Sequence, residues 1–144
     1  MFRSPKGFQI SSAKTDWIHV EAPRGNRYIS TVYKAPYVSN GLQPSLTVRV
    51  DNMSQNQSLD RYMRQWQKDY TRLGFEVINS KKVLVGKNTG FLMDLIYPKT
   101  KKQLRQIIFA KRKTAVVITC RDHESTFRKS VHECNQIIRN FDWL

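Results

Sequence analysis

Two stretches late in this chain are apolar at every position rather than at alternate ones: Ile107-Ile108-Phe109 and Val116-Val117-Ile118. Both lie in runs rich in β-branched residues, the chemistry of strands. Successive side chains of a strand point to opposite faces, so a sheet with one wet face shows alternation. These strands do not alternate. The centre of their sheet must therefore be covered on both sides.

The covering elements are legible too. Leu59, Tyr62, Met63, Trp66, Tyr70 and Leu73 recur at intervals of three and four, which gathers them on one helical face. Arg61, Arg64, Gln65, Lys68 and Arg72 take the other face. Ser58 or Asp60 can cap the start, because either side-chain oxygen can accept from an unpaired first-turn amide. Gly74 supplies the left-handed residue that commonly ends a helix. Near the end of the chain Phe127, Val131, Cys134, Ile138 and Phe141 repeat the helical spacing.

Between the helices, strands are expected over residues 75–85 (with a weak middle at Asn79-Ser80-Lys81), 91–97, 104–111 and 114–121. Gly86-Lys87-Asn88 and the run from Pro98 to Lys102 turn the chain between them. Before the first helix, residues 8–11, 27–35 and 46–50 read as strands, and residues 17–21 as an irregular extended piece. Residues 36–44 read as a loop, and the residues up to about Gly7 as a flexible lead-in. Strands joined by short turns make an antiparallel meander. The expectation is one α+β domain over residues 1–144, its sheet sandwiched between helices.

A chain of 144 residues with 40% hydrophobic content can build such a core without a metal or a disulfide. Its net charge of +14 points to polyanions, or to a generally basic, solvated surface. The densest cations are Lys99, Lys101, Lys102, Arg105, Lys111, Arg112 and Lys113, which come from two consecutive turns. Consecutive turns of a meander lie at opposite ends of a sheet. Lys99, Lys101 and Lys102 should thus be separated from Lys111, Arg112 and Lys113, each group a candidate contact for a polyanion such as an anionic membrane surface. Specific nucleic-acid binding is disfavoured, since it calls for exposed aromatics among the cations, whereas Tyr97 and Phe109 read as internal.

Catalytic chemistry finds no footing. Cys120, His123, His132 and Cys134 suggest a metal, but His132 and Cys134 are two positions apart on the second helix and point about 200° apart around its axis. Two buried free thiols are the simpler reading of Cys120 and Cys134; the alternative is a disulfide, which export would favour. No Gly-x-Ser-x-Gly elbow is present, and the glycines form no phosphate-cradling loop. Asp94, amid apolar neighbours, reads as a carboxylate paired with an arginine or lysine. No catalytic, cofactor-binding or metal residue is assigned.

No apolar run is long enough to span a bilayer. Met1-Phe2-Arg3-Ser4-Pro5-Lys6 lacks the apolar core of an export signal, so the chain is cytoplasmic unless a removed signal makes it periplasmic or envelope-associated.

Several short phrases occur in a familiar order. Gly7-Phe8-Gln9-Ile10 is followed by Trp17, and Ser58-Leu59-Asp60-Arg61-Tyr62 opens the first helix. Lys82-Val83-Leu84-Val85-Gly86 precedes Thr89-Gly90-Phe91-Leu92-Met93. Arg105-Gln106-Ile107-Ile108-Phe109, Val117-Ile118-Thr119-Cys120 and a closing Ile137-Ile138-Arg139-Asn140-Phe141-Asp142-Trp143 complete the series. In this order of elements the chain resembles the PsbP-like superfamily, which includes the photosystem II extrinsic protein and the bacterial DcrB-related proteins. It departs from that pattern just before Trp17, where Thr15-Asp16 replaces a proline. The resemblance implies a non-catalytic accessory or binding domain of a cell-envelope or membrane-associated assembly, with a protein partner and no cofactor. Two other functions stand beside it: a cytosolic DcrB-related chaperone, with Tyr33, Tyr37 and Val38 lining a hollow for an apolar client, and a basic nucleic-acid-binding protein.

Overall fold

The computed structural model describes residues 1–53 and 58–144. Along the chain run β1 (Phe2–Ser4), β2 (Phe8–Ile10), β3 (Ile18–Val20), β4 (Ile29–Lys34), β5 (Ser45–Asn52) and α1 (Leu59–Arg72). Then follow β6 (Glu76–Val85), β7 (Asn88–Tyr97), β8 (Lys102–Lys111), β9 (Thr114–His123), α2 (Phe127–Arg139) and β10 (Asp142–Trp143). The main sheet has seven strands in the order β3-β4-β5-β9-β8-β7-β6, antiparallel throughout.

The doubly apolar strands lie at its centre, as their composition demands. On one face Ile107, Phe109, Val116 and Ile118 pack against Cys134, Ile137 and Ile138 of α2, with Phe8 and Ile10 of β2. On the other face Ile108, Leu104, Ala115 and Val117 pack against Tyr62 and Met63 of α1, flanked by Trp66 and Tyr70. Ile107, Ile108 and Ile118 are wholly buried, and each such side chain stabilises the fold by roughly 1.5–3 kcal/mol. The α+β sandwich is observed as expected.

Helix α1 has both expected ends. Ser58, not Asp60, is the cap, accepting from the Arg61 amide at 3.2 Å. At the other end the Phe75 amide donates to the Tyr70 carbonyl at 3.0 Å and the Gly74 amide to that of Thr71 at 3.1 Å. Gly74 stands at φ +95°, and the Phe75 and Tyr70 rings meet at 5.1 Å. This is a Schellman ending with its apolar clasp.

The opening residues differ from expectation. Residues 2–4 are no lead-in: β1 pairs with β2, and β10 pairs with the other edge of β2. This small sheet forms because Phe2, Phe8 and Trp143 gain an aromatic cluster over the α2 side of the core. Residues 18–20, expected as irregular, pair with β4 as an edge strand. Leu73, placed on the buried face of α1, ends the helix and is exposed.

Candidate functional site

The structure separates the basic residues that stood out in the sequence. Lys99, Lys101 and Lys102 lie at the start of β8, and Lys111, Arg112 and Lys113 at its far end. At the rise of an extended strand those ends are about 30 Å apart.

Other singled-out residues have structural employment. Arg105 clasps Asp94 through two bonds of 2.9 and 3.1 Å and reaches Asn135 at 3.1 Å, so Asp94 is a paired carboxylate. Cys120 and Cys134 are joined by a disulfide, their Cα atoms 6.2 Å apart, which replaces the simpler reading of two free thiols. Strand parity and helical phase bring both sulfurs into the same core layer. His132 lies outside that layer, and the bonded sulfurs are not available as metal ligands. Tyr33 is buried in β4, its hydroxyl donating to the Ile10 carbonyl at 3.2 Å, so it lines no client-binding hollow.

A more telling place lies where α1 stops short of covering the sheet. The helix crosses β6 to β9, leaving the same face of β4 and β5 without a helical roof. There the strands turn polar. Thr47 and Arg49 of β5 stand beside Thr119 and Val117 of β9, their register partners, with Arg121 next along β9. Gln106 of β8 adjoins Thr119. Trp66 and Tyr70, one helical turn apart on α1, form the wall, and Asn26, Tyr28 and Ile29 form the opposite lip. Together they enclose a pocket of about 230 Å³.

Its polar groups are unevenly satisfied. Arg49 is clamped on Asp51 by bonds of 3.1 and 2.9 Å, and the Tyr62 hydroxyl donates to the same carboxylate at 2.7 Å. The guanidinium also lies 5.0 Å above the Trp66 ring, a cation–π contact that fixes its plane. Arg121, in contrast, has no carboxylate or hydrogen-bond acceptor among the described residues. Gln106 is 2% exposed; its Nε2 donates to the Tyr70 hydroxyl at 2.8 Å and to the Thr119 hydroxyl at 3.1 Å. Its Oε1 has no protein partner. Buried polar atoms are nearly always paired, because an unpaired one keeps its full desolvation cost. Burial raises the pKa of the Tyr70 hydroxyl, against the opposing pull of the Gln106 bond and the Arg49 and Arg121 charges, so the group stays a neutral donor.

The pocket's lining contains no carboxylate, histidine, cysteine or serine among the described residues; its hydroxyls are those of Tyr28, Thr47, Tyr70 and Thr119. A second cleft, of about 260 Å³, lies on the opposite face between α2 and β6 and is largely aliphatic, with Leu92, Ile107 and Ile138 beside Arg105 and Arg139. Helical spacing puts Trp66 and Tyr70 on the core face of α1, and no motif in the sequence marks Arg121. The readable signal was Gln106 itself, one amide amid Leu104, Ile107, Ile108 and Phe109.

No family model matches the sequence, and no curated protein matches it. Among solved structures the chain is similar to the cyanobacterial PsbP, CyanoP, from Synechocystis sp. PCC 6803, with a TM-score of 0.69 at 11% identity, covering 99% of this chain and 91% of that one. It is also similar to PA94 of Pseudomonas aeruginosa, a protein of unknown function, with a TM-score of 0.67 at 13% identity, covering 96% and 92% of the two chains. At such identities the likeness is one of fold. It includes the sheet and both its covering layers.

Proposed function

Starting from a PsbP-like fold, we propose that this chain is a non-catalytic accessory domain that works by binding, through the pocket beside α1, in an oxidising compartment such as the bacterial cell envelope. One observation carries the reading: the pocket combines an unpaired guanidinium, a buried amide with a spare acceptor and an aromatic wall, and lacks a reactive pair. Binding sites are built this way, with a few aimed polar groups on an apolar frame. The Cys120–Cys134 bridge supports the compartment, because reducing cytosol keeps thiols apart. A protein partner fits the same reading, and the two basic ends would add a weak, salt-sensitive attraction to an anionic surface. No helix among the described residues is long and apolar enough to cross a membrane.

Of the residues expected to line a client hollow, Tyr33 is buried, Tyr37 half-buried and Val38 exposed, and the nucleic-acid reading has a split basic surface. Neither is favoured by a further observation.

The test is a thermal-shift screen of small polar and aromatic compounds against the wild-type chain and Arg121→Gln. Compounds that stabilise the wild type alone, and are recovered chemically unchanged, support the proposal. Turnover of a bound compound, or stabilisation equal in both proteins for every hit, would refute it. For the compartment, alkylation of the protein in the cells that produce it should leave both cysteines unmodified; labelling of both would place it in a reducing environment.

A further inference from the structure

We infer that the pocket beside α1 takes a small aromatic monocarboxylate whose ring carries a hydrogen-bond donor. The inference rests on the proposed binding role of that pocket and goes on to name the ligand chemistry.

Charge sets the anion. Arg49 is neutralised by its two bonds to Asp51, so it contributes shape and a ring contact more than free charge. Among the described residues Arg121 is left as the one uncompensated cation of the pocket. One net positive charge in a partly enclosed site balances one negative charge. A phosphate monoester, nearly dianionic at neutral pH, would bury an excess charge, and uncompensated buried charge is costly. A carboxylate also matches the planar fork of a guanidinium.

Hydrogen-bond direction sets the rest. Gln106 Nε2 donates to the oxygens of both Tyr70 and Thr119, so each hydroxyl has its own proton free to turn away from Gln106. The pocket thus offers two O–H donors besides Arg121, enough to receive both oxygens of a carboxylate. The spare Gln106 Oε1 accepts and cannot donate; it calls for an O–H or N–H on the ligand. The amide therefore aims two hydroxyls at one part of the ligand and meets another part itself.

Size and surface set the body. A volume of about 230 Å³ falls below the ~300–1,000 Å³ typical of sites for drug-sized molecules, which fits one ring and its substituents. Trp66 and Tyr70 have ring centroids 5.4 Å apart and planes inclined by 31°, an aromatic wall against which a flat ring packs with offset or edge contact.

Proton–nitrogen correlation NMR on the whole chain tests this, with benzoate, the three hydroxybenzoates, neutral benzamide and inorganic phosphate as probes. Benzoate is expected to shift the amides of Thr47, Arg49, Thr119 and Arg121 and the indole of Trp66. At least one hydroxybenzoate should bind several-fold more tightly than benzoate, and benzamide at least ten-fold more weakly. Arg121→Gln should weaken benzoate at least ten-fold and leave benzamide unchanged; its spectrum should stay dispersed, since Arg121 supports no other residue. Tyr70→Phe, which keeps the ring, should weaken benzoate by a smaller factor. Equal binding of benzoate and benzamide at these resonances would overturn the monocarboxylate while the pocket stands as a binding site. Phosphate shifting them as strongly as benzoate would overturn the aromatic body. If no probe moves any of them, the ligand class falls, and a screen that also finds no Arg121-dependent compound removes the pocket's binding role.

Discussion

Gly90 is the third residue of β7, and replacing it with alanine should destabilise the protein although alanine is the better strand residue. The usual gain from Gly to Ala inside a strand is roughly 0.5–1 kcal/mol, because glycine loses more freedom on folding. Here the added methyl would sit 3.0 and 3.1 Å from two Phe109 ring carbons and 3.1 Å from Ile107 Cγ1. Those distances require the neighbours to move by several tenths of an ångström. Phe109 cannot readily do so: it is wholly buried and stacked face to face on Phe141, with centroids 4.3 Å apart and planes 2° from parallel. Ile107 is fully buried as well. Overpacking of this kind costs about 1–3 kcal/mol, so the clash should win by about 1–2 kcal/mol, or a melting point roughly 3–8 °C lower. Urea unfolding of Gly90→Ala measures it. Phe109→Leu provides the internal check, because a smaller side chain removes the clash and should cost about 1 kcal/mol less in the Gly90→Ala background than in the wild type. A more stable Gly90→Ala, or strictly additive costs, would show that Phe109 yields and that the packing argument is wrong.

Replacing both Cys120 and Cys134 with alanine opens a loop of sequence separation 14 and should cost about 3 kcal/mol in chemical denaturation; an unchanged midpoint would mean that the bridge does not form in solution. Arg112 holds φ +58° in the tight β8–β9 turn, where Gly86 holds φ +60° in the corresponding β6–β7 turn. Arg112→Gly should therefore raise stability by about 0.5–1 kcal/mol, and a fall would assign Arg112 a contact of its own. Burial, followed by the bond to Asp51, raises the pKa of the Tyr62 hydroxyl. The folded state then holds that proton more tightly than the unfolded chain, so this contribution is complete below the usual tyrosine pKa of about 10 and is lost as pH rises beyond it. Wild-type stability should fall more steeply than that of Tyr62→Phe in alkaline solution; parallel curves would contradict the assignment.

The sandwich was legible because its cause is local. Apolar residues on both sides of Ile107–Phe109 and Val116–Ile118 require two-sided cover whatever the topology, and the spacing from Leu59 to Tyr70 allows a helix to provide one layer. The pairing of Asp94 with a cation was legible for a similar reason, since an ionised carboxylate is not buried alone. The union of β1, β2 and β10 was not, because its strands are two or three residues long and its partners come from the two ends of the chain. The strand at residues 8–10 was readable, but β1 and β10 are too short to carry a period, and nothing local says what β2 pairs with.

The pocket beside α1 belongs to the tertiary structure. The sequence by itself determined that Thr47, Arg49 and Asp51 alternate with the apolar residues of their strand, and so that they share a face. It did not determine what that face meets. Antiparallel pairing of β5 with β9 puts Arg49 opposite Val117 and Thr47 opposite Thr119, and the length of α1 leaves them beyond its cover. Whether Arg121 is paired and whether Gln106 has a partner for its oxygen depend on side chains brought together from five separate elements and a loop. Alternation and helical spacing specify which way a residue points; only the packed fold decides which groups lie within hydrogen-bond reach of one another.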